Sequence, residues 1–180
     1  MSLPDEIQGA LRRLRRRGVR RWGSGRPSWP SPSSAVVPRA TYPVGRFAGG
    51  HSAEFALPGG RTDRWESASS AGRRRLTEEF GTRLPPESVL GLLDDYVTDT
   101  RFVITPVVLW GGEHDPAVGV LAVPFADLDV EPVFVASSES DRPVIRLPMH
   151  GGWLHAPTAA VLHQFREVVL LRRRTRVAAC

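Results

Sequence analysis

Between Glu54 and Thr82 the chain reads EFALPGGRTDRWESASSAGRRRLTEEFGT, and this stretch admits few folds. An apolar strand runs to Leu57, and Pro58-Gly59-Gly60 closes it with residues that neither extend a central strand nor enter a helix. A polar loop then leads to Glu66 and Ser67, where a helix is expected to begin, and Gly81 stands where a helix-ending glycine would. Positions 75, 78 and 79 are spaced i, i+3 and i+4, so Arg75, Glu78 and Glu79 share one face of that helix. Arg75 is within reach of both glutamates, a pairing that contributes about 0.2–0.5 kcal/mol if exposed.

Around this strand-loop-helix the pattern is mixed. Two short strands are expected before the helix, Ala35–Val37 and Glu54–Leu57, with a turn-rich stretch between them. After it come Val89–Leu93, Val103–Leu109 and Val118–Val123, apolar and β-branched, with Gly111-Gly112 turning the chain between the last two. Pro124–Leu128, an irregular stretch around Ser137–Arg142, and a hairpin of Val144–Leu147 with Gly152–His155 follow. A final helix is expected from Pro157 to Leu171, its apolar content carried by Ala160, Leu162, Phe165, Val169 and Leu170. Strands alternating with helices make an α/β or α+β domain.

The 180 residues carry 24 basic side chains, all arginine, against 19 acidic ones. Seven arginines lie between Arg12 and Arg21 and four between Arg172 and Arg176, so residues 22–171 hold 13 arginines against 17 acids. Basicity belongs to the ends, and a nucleic-acid role is not expected of the body. Residues 4–22 form an amphipathic helix with Ile7, Leu11 and Leu14 at helical spacing; its arginine face is either a solvated surface or a weak patch for phosphate, nucleic acid or membrane. GSGRPSWPSPSS, residues 23–34, reads as a linker, which divides the chain into a basic helix and linker over 1–34 and a folded domain over 35–180. Cys180, the single cysteine, excludes a disulfide framework and any multi-cysteine zinc site. With no run of about 20 apolar residues and no signal-peptide pattern, the cytoplasm is the expected compartment.

The central stretch resembles the Nudix box, G-x5-E-x7-R-E-U-x-E-E-x-G-U, where U is a bulky aliphatic. Gly60, Glu66, Arg74, Leu76, Glu78, Glu79 and Gly81 match it at every spacing; Arg75 stands where the family has a glutamate, and Thr82 where it has an aliphatic. Downstream, GLLDDYVTDTRFVITPVVLWGG, ESDRPVIRLP and LHAPTAAVLHQFREV are similar to segments of actinobacterial members close to coenzyme A pyrophosphatases. The arginine-containing signature expected ahead of the box is incomplete, and HDPAVGV, His114–Val120, lacks the glutamate expected after Trp110.

The resemblance implies a Nudix-type α/β/α sandwich with a mixed central sheet. It implies a metal-dependent pyrophosphohydrolase that cleaves a nucleoside-diphosphate-X linkage in a coenzyme A-like or dinucleotide substrate. The alternative is a catalytically impaired Nudix-fold protein that binds a nucleotide or a partner, and a homodimer is open. On the matching positions Glu79 and Arg74 are the catalytic residues, Glu78 and Glu79 the ligands of Mg²⁺ or Mn²⁺, and Gly59, Gly60 and Arg61 the substrate loop. Against such an ion Arg75 is a costly neighbour: a positive charge about 5 Å from a dication, at an effective dielectric near 20, opposes it by on the order of several kcal/mol before screening.

Plainer readings stand beside these. Glu66 is either a helix N-terminal acid favoured by the dipole or a ligand, and Arg74 either orients a carboxylate or is a surface arginine. Asp94 and Asp95 read as a polar strand end. His51, His114, His150, His155 and His163 show no metal-ligand spacing and are taken as structural. Trp65 either stacks on a base or covers the helix.

Overall fold

The computed structural model describes residues 3–15, 33–38, 41–47, 54–98, 102–111, 120–137, 141–149 and 152–173. Most of the expected linker, the Gly111-Gly112 turn beyond Gly111, His51, His114, His150 and Cys180 lie outside them.

The chain runs α1 (Leu3–Arg15), β1 (Ser33–Pro38), β2 (Thr41–Phe47), β3 (Glu54–Ala56), β4 (Gly59–Arg61), α2 (Ala68–Phe80), β5 (Val89–Leu92), β6 (Tyr96–Val97) and β7 (Val103–Leu109). It continues through β8 (Val120–Pro124), β9 (Val133–Ala136), β10 (Pro143–Met149), β11 (Gly152–His155) and α3 (Thr158–Phe165), with a π-helical turn over Arg166–Leu170. The central sheet has the order β4-β1-β7-β5, with β6 also on β7. It is mixed: β1 runs parallel to β7, Val36 opposite Val107, and the other pairings are antiparallel. Two smaller antiparallel sheets, β3-β2-β8 and β9-β10-β11, complete the strands.

Side chains alternate across β7 and divide the core. Val107 and Leu109 meet Leu76 of α2 and Leu84, while Val108 faces the other way into a larger cluster with Ile7 and Leu11 of α1, Leu93, and Leu162 and Phe165 of α3. Helices therefore cover both faces of the sheet, an α/β/α sandwich.

Several expectations are corrected. The N-terminal helix is not merely a solvated amphipathic segment: Ile7, Ala10 and Leu11, spaced i, i+3 and i+4, are buried, with Leu11 fully enclosed. Gly91 of β5 makes the seat, since a Cβ there would lie 3.0 Å from the Leu11 Cβ. The turn-rich stretch after Val37 contains a strand, β2, held on both sides by backbone pairing to β3 and β8. Gly59–Arg61, expected as loop, is the edge strand β4 against Ser33–Ala35, so the sheet begins two residues inside the expected linker. Among the described residues no helix is long and apolar enough to cross a membrane.

Candidate active site

The helix α2 is fixed at both ends by local chemistry. Ser67 is its N-cap, its hydroxyl accepting the Ser70 N–H at 3.1 Å. Gly81 closes it at φ 66°, where a side chain would be strained, with its N–H on the Thr77 carbonyl at 3.0 Å. Leu76 and Ala71 are buried, and the acidic end projects toward β4.

Arg74 binds the loop to the helix. Its Nε and Nη2 donate to the two Glu66 oxygens at 3.0 and 2.8 Å, a bidentate pair. Nη2 also reaches the Arg61 carbonyl at 3.2 Å and Asp63 at 3.5 Å, and Nη1 donates to Glu78 at 3.2 Å. Glu66 in turn accepts the Asp63 N–H at 2.9 Å. The Arg74 guanidinium holds the Glu66 carboxyl well below its ordinary value, at about 2, and the Glu66 and Glu78 bonds push Arg74 itself upward. Glu66 is thus the anchor of Arg74; neither helix dipole nor metal is needed to account for it.

Arg75 lies on the strand. Its Nη1 donates to Glu78 at 3.2 Å, while its enclosed Nε has no hydrogen-bond partner among the described residues. The guanidinium rests on Gly60, where a Cβ would collide with Nε, Cζ and Nη2; glycine here is a matter of space. The sequence put Arg75 within reach of both glutamates; among the described residues it pairs with Glu78. Glu79 turns instead to β4, where the Gly59 N–H donates to its carboxylate; partial enclosure raises its pKa above the ordinary value against the pull of that N–H and of the Arg75 charge. Arg61, beside Gly60, sets its guanidinium 5.5 Å from the Phe102 ring centroid.

As arranged, these residues do not fit Mg²⁺ or Mn²⁺. Such ions want a shell of oxygens, yet Glu78 is taken by two arginines and the third position on the face is a cation. Among the described residues no group of three or more His, Cys, Asp or Glu side chains is placed to hold a metal ion.

The other candidates fall outside this cluster. Asp95 accepts the Thr105 hydroxyl at 2.7 Å, and the backbone of buried Asp94 pairs with the Gln164 amide, so both belong to the sheet's support. Trp65 does not cover the helix: it is 90% exposed at a φ of 69°, with Arg64 5.3 Å from its ring centroid. His163 packs among α3 residues, and burial holds its pKa below the ordinary value. Sequence reasoning missed the Gly59 N–H on Glu79 and the Phe102 support of Arg61. The first needed β4 to be seen as a strand, and the second needed a contact between residues 41 apart, for which no local signal exists.

A mixed sheet between helix layers, with a strand end, loop and capped helix bearing Arg74, Glu78 and Glu79, is the Nudix fold. A crystal structure of a MutT/Nudix family protein from Enterococcus faecalis superimposes with a TM-score of 0.50 at 14% identity, over 89% of this chain and 73% of that one. A Nudix hydrolase from M. smegmatis is similar at a TM-score of 0.47 and 20% identity, covering 86% of this chain and 92% of that one. A MutT protein from Methanosarcina mazei aligns at 0.42 and 20%, over 56% and 83%. No family model and no curated protein matches the sequence.

Proposed function

We propose that this chain binds a nucleoside-diphosphate-X compound, coenzyme A-like or dinucleotide, and hydrolyses its diphosphate linkage. The observation that carries the reading is the Arg74 lock: one guanidinium joins Glu66, Asp63, the Arg61 carbonyl and Glu78, and so holds the loop and helix face in one arrangement. The diphosphate lies at Gly59, Gly60 and Arg61, in front of the Arg75 guanidinium that fills the space over Gly60. Exposed Trp65 offers a face for the nucleobase.

In this reading Glu79 is the catalytic carboxylate, poised to take a proton from water, and Arg74 is its positioning partner through Glu78 and the loop. Mg²⁺ or Mn²⁺ would supply Lewis-acid charge to such a hydrolysis, and Glu78 and Glu79 would hold it only with Arg75 turned out. That requirement favours a second reading, in which the fold binds the nucleotide and hydrolysis is lost.

The test is an assay of the purified protein with Mg²⁺ or Mn²⁺ against coenzyme A, ADP-ribose, NADH and nucleoside triphosphates. Release of a monophosphate product by the wild type, lost in Glu79→Gln, is the expected outcome. Activity that appears only in Arg75→Glu would replace it with the second reading.

A further inference from the structure

The enclosed Nε of Arg75 is the least explained polar atom at the site. A guanidinium carries five N–H donors, and among the described residues Arg75 uses one nitrogen, on Glu78. Its plane is pressed against Gly60, while the side chain of Arg61, the next residue of the strand, leaves on the opposite face and is propped on Phe102. Exchanging a carboxylate for a guanidinium changes the local charge by two units in the positive direction, the charge one dication would bring. Arg75 is 32% exposed along its side chain, so the fork is open to a ligand in front of β4 while its root stays enclosed.

We infer that Arg75 is the cation that receives the ligand's diphosphate, and that binding therefore needs no divalent metal. The inference rests on the diphosphate ligand proposed above. A planar fork is well suited to a diphosphate, because it meets two phosphate oxygens at once and is pre-organised by its rest on Gly60. Glu78 fixes one end of the fork without closing it, since its bond uses only Nη1.

The test is calorimetric titration of ADP-ribose, and separately of coenzyme A, into the full chain in EDTA and again with excess Mg²⁺. The expected result is binding in EDTA, with a Kd that Mg²⁺ changes by less than about twofold. Loss of a charge-assisted contact should weaken Arg75→Gln by about ten- to a hundredfold in EDTA. Arg75→Glu should bind only with Mg²⁺. Gly60→Ala, which leaves every charge in place but lifts the guanidinium off the strand, should weaken binding in EDTA as well, and it carries the test if the Arg75 variants fail to fold. Wild-type binding seen only with Mg²⁺, or Arg75→Gln binding as well as the wild type in EDTA, overturns the inference and leaves the proposed function standing. Absence of binding to both compounds under both conditions overturns the proposed function and the inference with it.

Discussion

Arg74 uses its whole guanidinium to hold other groups in place, and Glu66 is the partner it holds most firmly. Removing Arg74 leaves the Glu66 carboxylate largely enclosed without its charge partner, a loss of about 1–3 kcal/mol. The acid range offers the sharper check. The Glu66 carboxyl titrates at about 2 in the folded chain against 4.5 ordinarily, so its stabilisation is fully present above about pH 4.5 and fades as pH falls toward 2. Urea midpoints of the wild type and Glu66→Gln should differ most near neutral pH and converge over that window; a constant difference would place the pair's effect elsewhere. The spacing of Glu66 and Arg74 was legible in the sequence because both sit on the box pattern. That Glu66 serves Arg74 was not, since a pair eight residues apart meets only when the loop folds back over the first turns of α2.

At the scale of elements, what the sequence conceals is burial and pairing. The stripe Ile7, Ala10, Leu11 is visible in α1, but seven arginines close behind it make the helix look solvent-borne, and nothing local shows that Gly91 waits to receive Leu11. Leu11→Ala should cost about 2–5 kcal/mol, read from denaturant unfolding, because the side chain is fully enclosed; Gly91→Ala should destabilise as well, by crowding the same contact. A loss below about 0.5 kcal/mol in Leu11→Ala would mean that α1 does not hold this place in solution. Strand β2 was hidden for a different reason: Pro43 and Gly45 in TYPVGRF are turn residues by composition, and only pairing on both edges makes them a strand. Strand β4 has no apolar alternation at all; β1 draws it in through the backbone.

Across the whole molecule, distant charges are brought together that no motif announces. Arg166, buried, bonds Asp129 at 2.8 Å and Glu167 at 2.9 Å, and Arg173 shares Glu167. Arg172 reaches Glu6 of α1 at 2.9 Å, so part of the basic C-terminal run is spent within the fold. Among the described residues the two clusters of apolar side chains face each other across the sheet: Val107 and Leu109 of β7 lie on one side and Val108 on the other, and Val89 and Leu92 are likewise divided from Leu90 and Leu93. Substitutions on opposite sides should therefore add: the stability losses of Leu76→Ala and Leu11→Ala should sum in the double variant to within about 0.5 kcal/mol. A larger discrepancy would show that the strand transmits strain between them. If it does not, β7 acts as a bulkhead. The side that holds α2 and Arg75 can then take new side chains while the side that holds α1 and α3 keeps its shape.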